Sequence, residues 1–248
     1  MKAQALQLAA VAAVLLLWEG IVQAGLVSRR FVPAPSDVAA VMPRLFADGD
    51  LLPALGTTGL ELVITTLLAV PAGVVIGFLV GEHPASRRLV APVLYLLTAI
   101  PKSLFLPIFI LALGVGINQK VAFGVFQAFF VIAVATIAAV QGIPSGLILV
   151  GRALKASRWQ TYWHIYLPYM LPSILQGVRI GVIFAATGIL FAEMLVSRGG
   201  LGRLITIWGT GYQLPELLAG VFLAGSGTIL INELFRSYER RVGRWRSA

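Results

Sequence analysis

GRALKASRWQTYWHIYLP, residues 151–168, packs three cations, two tryptophans and a histidine into eighteen positions. The chain around it is 58% apolar and only 12% charged, against an apolar share of roughly 45–50% in soluble domains. A mean hydropathy of +0.91 marks a protein with several membrane spans, so this wet, basic stretch in mid-chain must stand outside the bilayer. The spans on either side of it set the fold class, which is all-α.

A hydrocarbon core of about 30 Å takes about 20 apolar helical residues. Six windows qualify, near 3–25, 57–81, 89–113, 120–140, 169–195 and 214–235. Val121–Val140 and Leu62–Gly81 contain no charge at all. No linker, low-complexity tract or internal repeat interrupts the chain, so residues 1–248 read as one transmembrane domain. The first window also has features of a signal peptide, with Lys2 before the apolar run and Val22-Gln23-Ala24 as a small-residue cleavage site. Its run continues to Val27, longer than an h-region, which favours retention.

With both termini on the cytoplasmic side, the inside segments hold eleven cations: Lys2, Arg87, Arg88, Arg152, Lys155, Arg158, Arg236, Arg240, Arg241, Arg244 and Arg246. The outside segments hold six, Arg29, Arg30, Arg44, Lys120, Arg198 and Arg203. That bias follows the positive-inside rule and puts residues 141–168 in the cytoplasm. The net charge of +9 is thus topogenic, clustered in short connections, and does not point to nucleic acid.

Other chemistries lack their residues. Without cysteine there is neither a disulfide framework nor a thiolate metal site, and His83 and His164 are too dispersed for a metal centre. No G-x-x-x-x-G-K-[ST] is present, so ATP has no P-loop here. A membrane enzyme would need paired carboxylates, a His cluster or a G-x-S-x-G site, none of which is found. An autonomous secondary transporter would need inverted repeats, which are not detectable.

Residues 28–55 place Val38, Val41, Met42, Leu45 and Phe46 at helical spacing and predict a surface-lying amphipathic helix capped by Ser36 or Asp37. Gly73, Gly77 and Gly81 form a small-xxx-small ladder that admits a close neighbour, and packing within the chain is favoured over a dimer contact. Residues 197–213, SRGGLGRLITIWGTGYQ, predict a re-entrant or surface helix at the outer mouth.

The segment 141–168 is too polar to insert and too apolar to be a bare loop, which predicts two short helices at the membrane surface. Ser157 and Gln160 have capping-box spacing, so a helix begins at 157 and the previous one ends near Lys155-Ala156. Pro168 and Pro172 then open the fifth span, where a missing N–H costs least.

The spacing over 149–168 resembles the EAA loop of ABC importer permeases, in which Glu-Ala-Ala is followed after three residues by Gly and after nine more by Ile-x-Leu-Pro. Here the frame reads Leu149-Val150-Gly151, then Lys155, then Ile165-Tyr166-Leu167-Pro168. AIPKSLFLPIFILALGVG (99–116), ALKASRWQTYWHIYLPYMLPSILQGVRIG (153–181), AEMLVSRGGLGRLI (192–205), FVPAPSDV (31–38) and the basic tail ERRVGRWR (239–246) are similar to the nitrate, sulfonate and taurine group of these permeases. The resemblance covers nearly the whole chain. It implies a type I importer permease bundle of six transmembrane helices in the bacterial inner membrane, with cytoplasmic coupling helices between spans four and five. It implies a homodimer, two cytoplasmic ATPase subunits that carry ATP and Mg, and a periplasmic solute-binding protein docking on 28–55 and 197–213. The permease itself is not an enzyme and carries no cofactor. The coupling residues would be Leu149, Val150, Gly151, Arg152, Ala153, Leu154, Lys155, Ala156, Ser157, Arg158, Trp159 and Tyr162. Two positions depart from the family pattern. Leu149 removes a carboxylate, and Lys155 replaces a glycine suited to a left-handed corner, at a cost on the order of 1 kcal/mol. A basic, acid-free knob calls for a more acidic groove or for an atypical ATPase.

Within the spans, Lys102 sits near the middle of the third window, where a lone cation costs roughly 2.5–3.5 kcal/mol. Pro101 breaks the helix and frees carbonyls beside it. Lys102 and Arg179 each read two ways, as lining of an anion pathway or as a structural pair with carboxylates or carbonyls. Glu193 reads as a gate or as a partner of Arg198 or Arg203. Glu19 and Glu61 read as interfacial carboxylates, while Gln127 and Thr187 suit interhelical hydrogen bonds as well as a pathway. The cations favour a small anion such as taurine, an alkanesulfonate or nitrate; the same group also carries pyrimidines.

Overall fold

The computed structural model describes residues 2–242. Arg244, Arg246 and the side chains of Lys2, Arg240 and Arg241, all counted among the cytoplasmic cations, lie outside the described residues. Ten helices follow one another along the described chain: α1 (Lys2–Gln23), α2 (Pro35–Ala47), α3 (Leu51–Glu82), α4 (Pro84–Ala99), α5 (Leu106–Leu113), α6 (Ile117–Gln141), α7 (Ser145–Ala153), α8 (Arg158–Leu195), α9 (Leu201–Thr210) and α10 (Leu214–Val242). No strand occurs among the described residues.

Four helices are long and apolar enough to cross a membrane: α3, α6, α8 and α10 up to Glu239. The third expected span is not straight. It is α4 and a second arm, Lys102–Leu113, made of a 3-10 turn and α5; the two are bent by 89° at Ile100–Pro101 and count as a fifth crossing if the pair is one span. The cause is Pro101: the residue before a proline is driven out of the α region, and Ile100 sits at φ −69°, ψ 136°. The apolar part of α1 among the described residues is Ala9–Gln23, shorter than the expected first span.

The chain forms two compact units, one of residues 1–58 and 193–226, the other of 59–192 and 227–248. The second is organised around α6, whose buried residues occupy nearly every turn. A Cβ on Gly73, Gly77 or Gly81 of α3 would meet Ile132, Ala133 and Val140 of α6 at 2.8, 2.5 and 3.0 Å, so the ladder serves packing within the chain. Residue numbers rise together along this contact, so α3 and α6 run parallel. Two parallel spans in succession need a return between them, and the bent α4–α5 pair is the segment available to make it.

A second ladder, Gly177, Gly181 and Gly188 of α8, meets Ala135, Ile132 and Gln127 of α6. Here the numbers run in opposite senses, which makes α8 antiparallel to α6. In both contacts a side chain in place of glycine would hold the backbones apart, and without a hydrophobic drive in lipid such close packing is what joins helices. Val80, Ala91 and Leu94 pack on Phe130, Ala133 and Ile137, while Leu106 of α5 is buried with Phe123 and Ala192, so α4 and α5 both lean on α6.

In the other unit, the amphipathic helix is α2, with Val38 and Leu45 buried. Its cap differs from expectation. Ala34 is the N-cap, and its N–H donates to the Asp37 carboxylate at 2.9 Å. Ser36 instead donates its N–H and hydroxyl to Glu19 of α1 at 3.0 and 2.8 Å.

Candidate functional site: the elbow between α6 and α8

Gly142 and Pro144 end α6, and α7 runs over Ser145–Ala153. Its C-terminus is a Schellman turn. Lys155 N–H donates to Arg152 O and Ala156 N–H donates to Gly151 O, both at 2.9 Å, and Lys155 takes φ +52°. The corner therefore falls on the residue that stands where the resembling family has glycine, and it is left-handed with a lysine in place. The paired hydrogen bonds satisfy two otherwise orphan carbonyls and hold the strained residue.

Two residues later the next helix opens with the expected capping box. Ser157 Oγ accepts the Gln160 N–H at 3.2 Å, and Gln160 Oε1 accepts the Ser157 N–H at 2.8 Å. This helix does not end before the fifth span, contrary to the reading that gives it a separate start at Pro168. It passes through a π turn, Tyr162–Tyr166, into the rest of α8, and Pro168 and Pro172 lie inside. A wider turn just before Pro168 accommodates a ring that would press on the i−4 carbonyl and has no N–H to give. The elbow's second arm and the fifth span are thus one rod.

Gly151 is buried, and a Cβ there would lie 2.9 Å from Ile165, so α7 folds back closely on the π turn. Leu149, Leu154 and Trp159 are 67%, 77% and 68% exposed, and Val150, Arg152, Ala153, Lys155 and Arg158 are exposed with them. Tyr162 is half-buried; its hydroxyl donates to the Glu82 carboxylate at the end of α3. The elbow is tied to α3 as well as to α8 and offers apolar and basic side chains to solvent with no carboxylate of its own.

Lys102 is buried. Its Nζ donates to Thr98 O at 3.1 Å and lies 5.8 Å from the centre of the Phe184 ring. The break at Pro101 takes from Thr98 O the backbone N–H that an unbroken helix would supply, and the ammonium fills that place. No ion pair to Lys102 is found among the described residues. Arg179 Nε is 3.4 Å from Glu239 Oε1 of α10. Gln127 is buried against Gly188. Thr187 is exposed and donates to Ile183 O of its own helix at 3.0 Å, an intrahelical bond where an interhelical one is expected.

Glu193, only 1% exposed, sits at the end of α8 and serves the N-terminus of α9. Its Oε2 accepts the Gly202 N–H at 2.8 Å, and the Thr58 hydroxyl, 2.8 Å from Oε1, donates to it. Thr58 in turn accepts the Leu201 N–H at 2.9 Å. A carboxylate at a helix N-terminus also meets the positive end of the helix dipole. Gly200, at φ +101°, leaves the room that this carboxylate occupies. Residues 28–55 and 197–213 belong to the same unit, and Asp50, Arg198 and Arg203 line one depression there.

Two buried residues correct the sequence reading. Glu61 and Lys120, expected at the interface and outside it, are 1% and 4% exposed and form an ion pair between α3 and α6. No local pattern announces that pair, because it depends on α3 and α6 running parallel. The α8 glycines, spaced by four and seven, are a contact that the sequence does signal.

Apolar crossings packed on α6, with a polar elbow at the end of that bundle, define a permease-type membrane subunit. The chain belongs to the binding-protein-dependent transport system inner membrane component family, whose pattern it matches over residues 69–247. It is a multi-pass inner-membrane protein and an importer permease subunit. It is 26% identical to the taurine transport system permease protein TauC of Escherichia coli, over 97% of this chain and 89% of that one. It is 27% identical to the putative aliphatic sulfonates transport permease protein SsuC of Bacillus subtilis, over 96% and 86%. The formylaminopyrimidine transport permease protein ThiX of Halalkalibacterium halodurans is also 27% identical, over 94% and 92%. Its fold is shared with a chain of the inward-facing MetNI methionine ABC transporter, at a TM-score of 0.64 and 22% identity, covering 82% of this chain and 98% of that one.

Proposed function

We infer that residues 1–248 act as one permease domain of six crossings, working as a pair of identical copies. A periplasmic binding protein delivers solute on one side, and two ATPase subunits bind ATP and Mg on the other. Both termini and the elbow face the cytoplasm. The observation that carries this reading is the left-handed Schellman corner at Lys155, with exposed Leu149 and Leu154 around it. That shape fits a groove on a soluble motor. Because the second arm is continuous with α8, a displacement of the elbow reaches the membrane without a flexible joint. ATP binding and hydrolysis then shift the balance between outward-open and inward-open bundles through differential contacts.

The cargo is a small sulfonate-like anion, supported by the taurine and aliphatic sulfonate relatives and by Lys102, which is buried without an ion pair among the described residues. A neutral heterocycle is the second reading, favoured by the formylaminopyrimidine relative and by the pairing of Arg179 with Glu239. Two experiments test the scheme. Purification of the tagged chain from mild detergent should retain a nucleotide-hydrolysing subunit, and solute uptake by the chain alone in liposomes would overturn the reading. Calorimetry on the partner binding protein should show taurine or an alkanesulfonate binding, and a pyrimidine in its place would transfer the assignment to the second reading.

A further inference from the structure

Beside the elbow, α3 and α8 enclose a groove of about 380 Å³ lined only by aliphatic and aromatic side chains. Its inner wall is Val74, Val75, Met170 and Ile174, all within the apolar stretches of two crossing helices. Its outer lip is Trp159 and Trp163, exposed and edge to face at 5.4 Å, an arrangement suited to the level of lipid headgroups. A soluble protein cannot reach residues that deep in hydrocarbon, whereas an acyl chain can.

On the other side of Tyr162 and Tyr166 lies a polar cavity that shares both rings and contains Arg152, Arg158 and His83. The partition is built: Phe78 packs edge-on against both tyrosines, with centroids 5.7 and 6.2 Å away, and the Tyr162 hydroxyl donates to Glu82. Glu82 lines the same cavity and keeps its charge while it accepts that bond, so Arg152 and Arg158 leave the cavity with one net positive charge. Arg158 stands one helical turn before Tyr162, next to Trp159 at the lip of the groove.

We propose that this pair of cavities is a binding site for one anionic glycerophospholipid, with an acyl chain in the Val75–Met170 groove and the phosphate at Arg158 and Arg152. The site lies where the elbow meets α3 and α8, so lipid occupancy stiffens that joint. The proposal requires only that α3 and α8 cross the membrane, and it stands or falls separately from the choice of cargo.

The test uses the full-length chain with its associated subunits in mild detergent. Dioleoyl phosphatidylglycerol bearing a diazirine on one acyl chain is bound, photolysed and mapped by mass spectrometry. Adducts should concentrate on the peptides holding Val74–Leu79 and Trp163–Ile174, and native spectra should retain one such lipid per chain, in preference to phosphatidylcholine. Arg158→Gln should weaken phosphatidylglycerol retention about fivefold and leave phosphatidylcholine unchanged, and Val75→Trp should remove the adducts by filling the groove. Should a variant fail to fold, the wild-type map decides. Adducts spread evenly over the lipid-facing helices, or equal retention of phosphatidylcholine, would show ordinary boundary lipid and overturn the site. So would photocrosslinking of a benzoylphenylalanine at position 163 to a protein subunit.

Discussion

Lys155 offers the sharpest test, because a left-handed backbone responds to side-chain type in a known order. A non-glycine L residue pays roughly 1–2 kcal/mol there. Lys155→Gly removes that strain and gives back about 0.4–1 kcal/mol through a looser unfolded chain, for a net gain between about 0 and about 1.6 kcal/mol. Lys155→Val puts a β-branched side chain into the same φ of +52° and loses on the order of 1 kcal/mol. The side chain is exposed, so no packing loss confuses the comparison. Unfolding in detergent, followed by the fluorescence of nearby Trp159 and Trp163, should rank the stabilities Gly, then Lys, then Val. The Gly variant should keep ATP-driven uptake at or above the wild-type level. A Gly variant less stable than wild type, or Gly and Val variants shifted alike, would refute the left-handed corner. A large loss of coupled transport in the Gly variant would refute the corner's proposed role.

Glu193→Ala should cost about 1–3 kcal/mol by leaving the buried Gly202 N–H without its acceptor, the Thr58 hydroxyl falling back on Ala54 O, while Glu193→Gln should retain much of the cap; protease sensitivity of residues 197–213 reads both. Gly77→Leu should separate α3 from α6 and cost about 1–3 kcal/mol as overpacking, read as a lowered unfolding midpoint in detergent; an unchanged midpoint would refute the close approach. Lys120→Met alone should destabilise by about 3–5 kcal/mol, because it strands a buried carboxylate, while Lys120→Met with Glu61→Leu should return close to wild type, which a double-mutant cycle on unfolding midpoints will show.

Much of the candidate site was legible in sequence because it is local. The capping box of Ser157 and Gln160 needs only four consecutive residues. The corner at Lys155 follows from two helices meeting within a few residues, and the break at Pro101 follows from a missing N–H and a steric clash. What escaped were features spread across the chain. Glu61 alone looks interfacial and Lys120 alone looks like a cation outside the membrane, and Glu193 carries no sign that its carboxylate will close the N-terminus of α9. Pro168 reads as a helix start in isolation, and only the π turn ahead of it shows how the helix continues.

Composition and period alone determined that this chain is an all-helical membrane protein with a polar elbow in mid-sequence, because apolar length and charge placement are properties of the chain's interaction with water and lipid. Tertiary structure decided which helices are neighbours and in which direction they run. The same glycine ladder can face lipid, a second copy or α6, and only the fold, by bringing Ile132 and Ala133 against it, selects α6. Lys102 likewise carries its desolvation cost wherever it is buried, but the broken helix that supplies the Thr98 carbonyl exists only once α4 and α5 have bent around it.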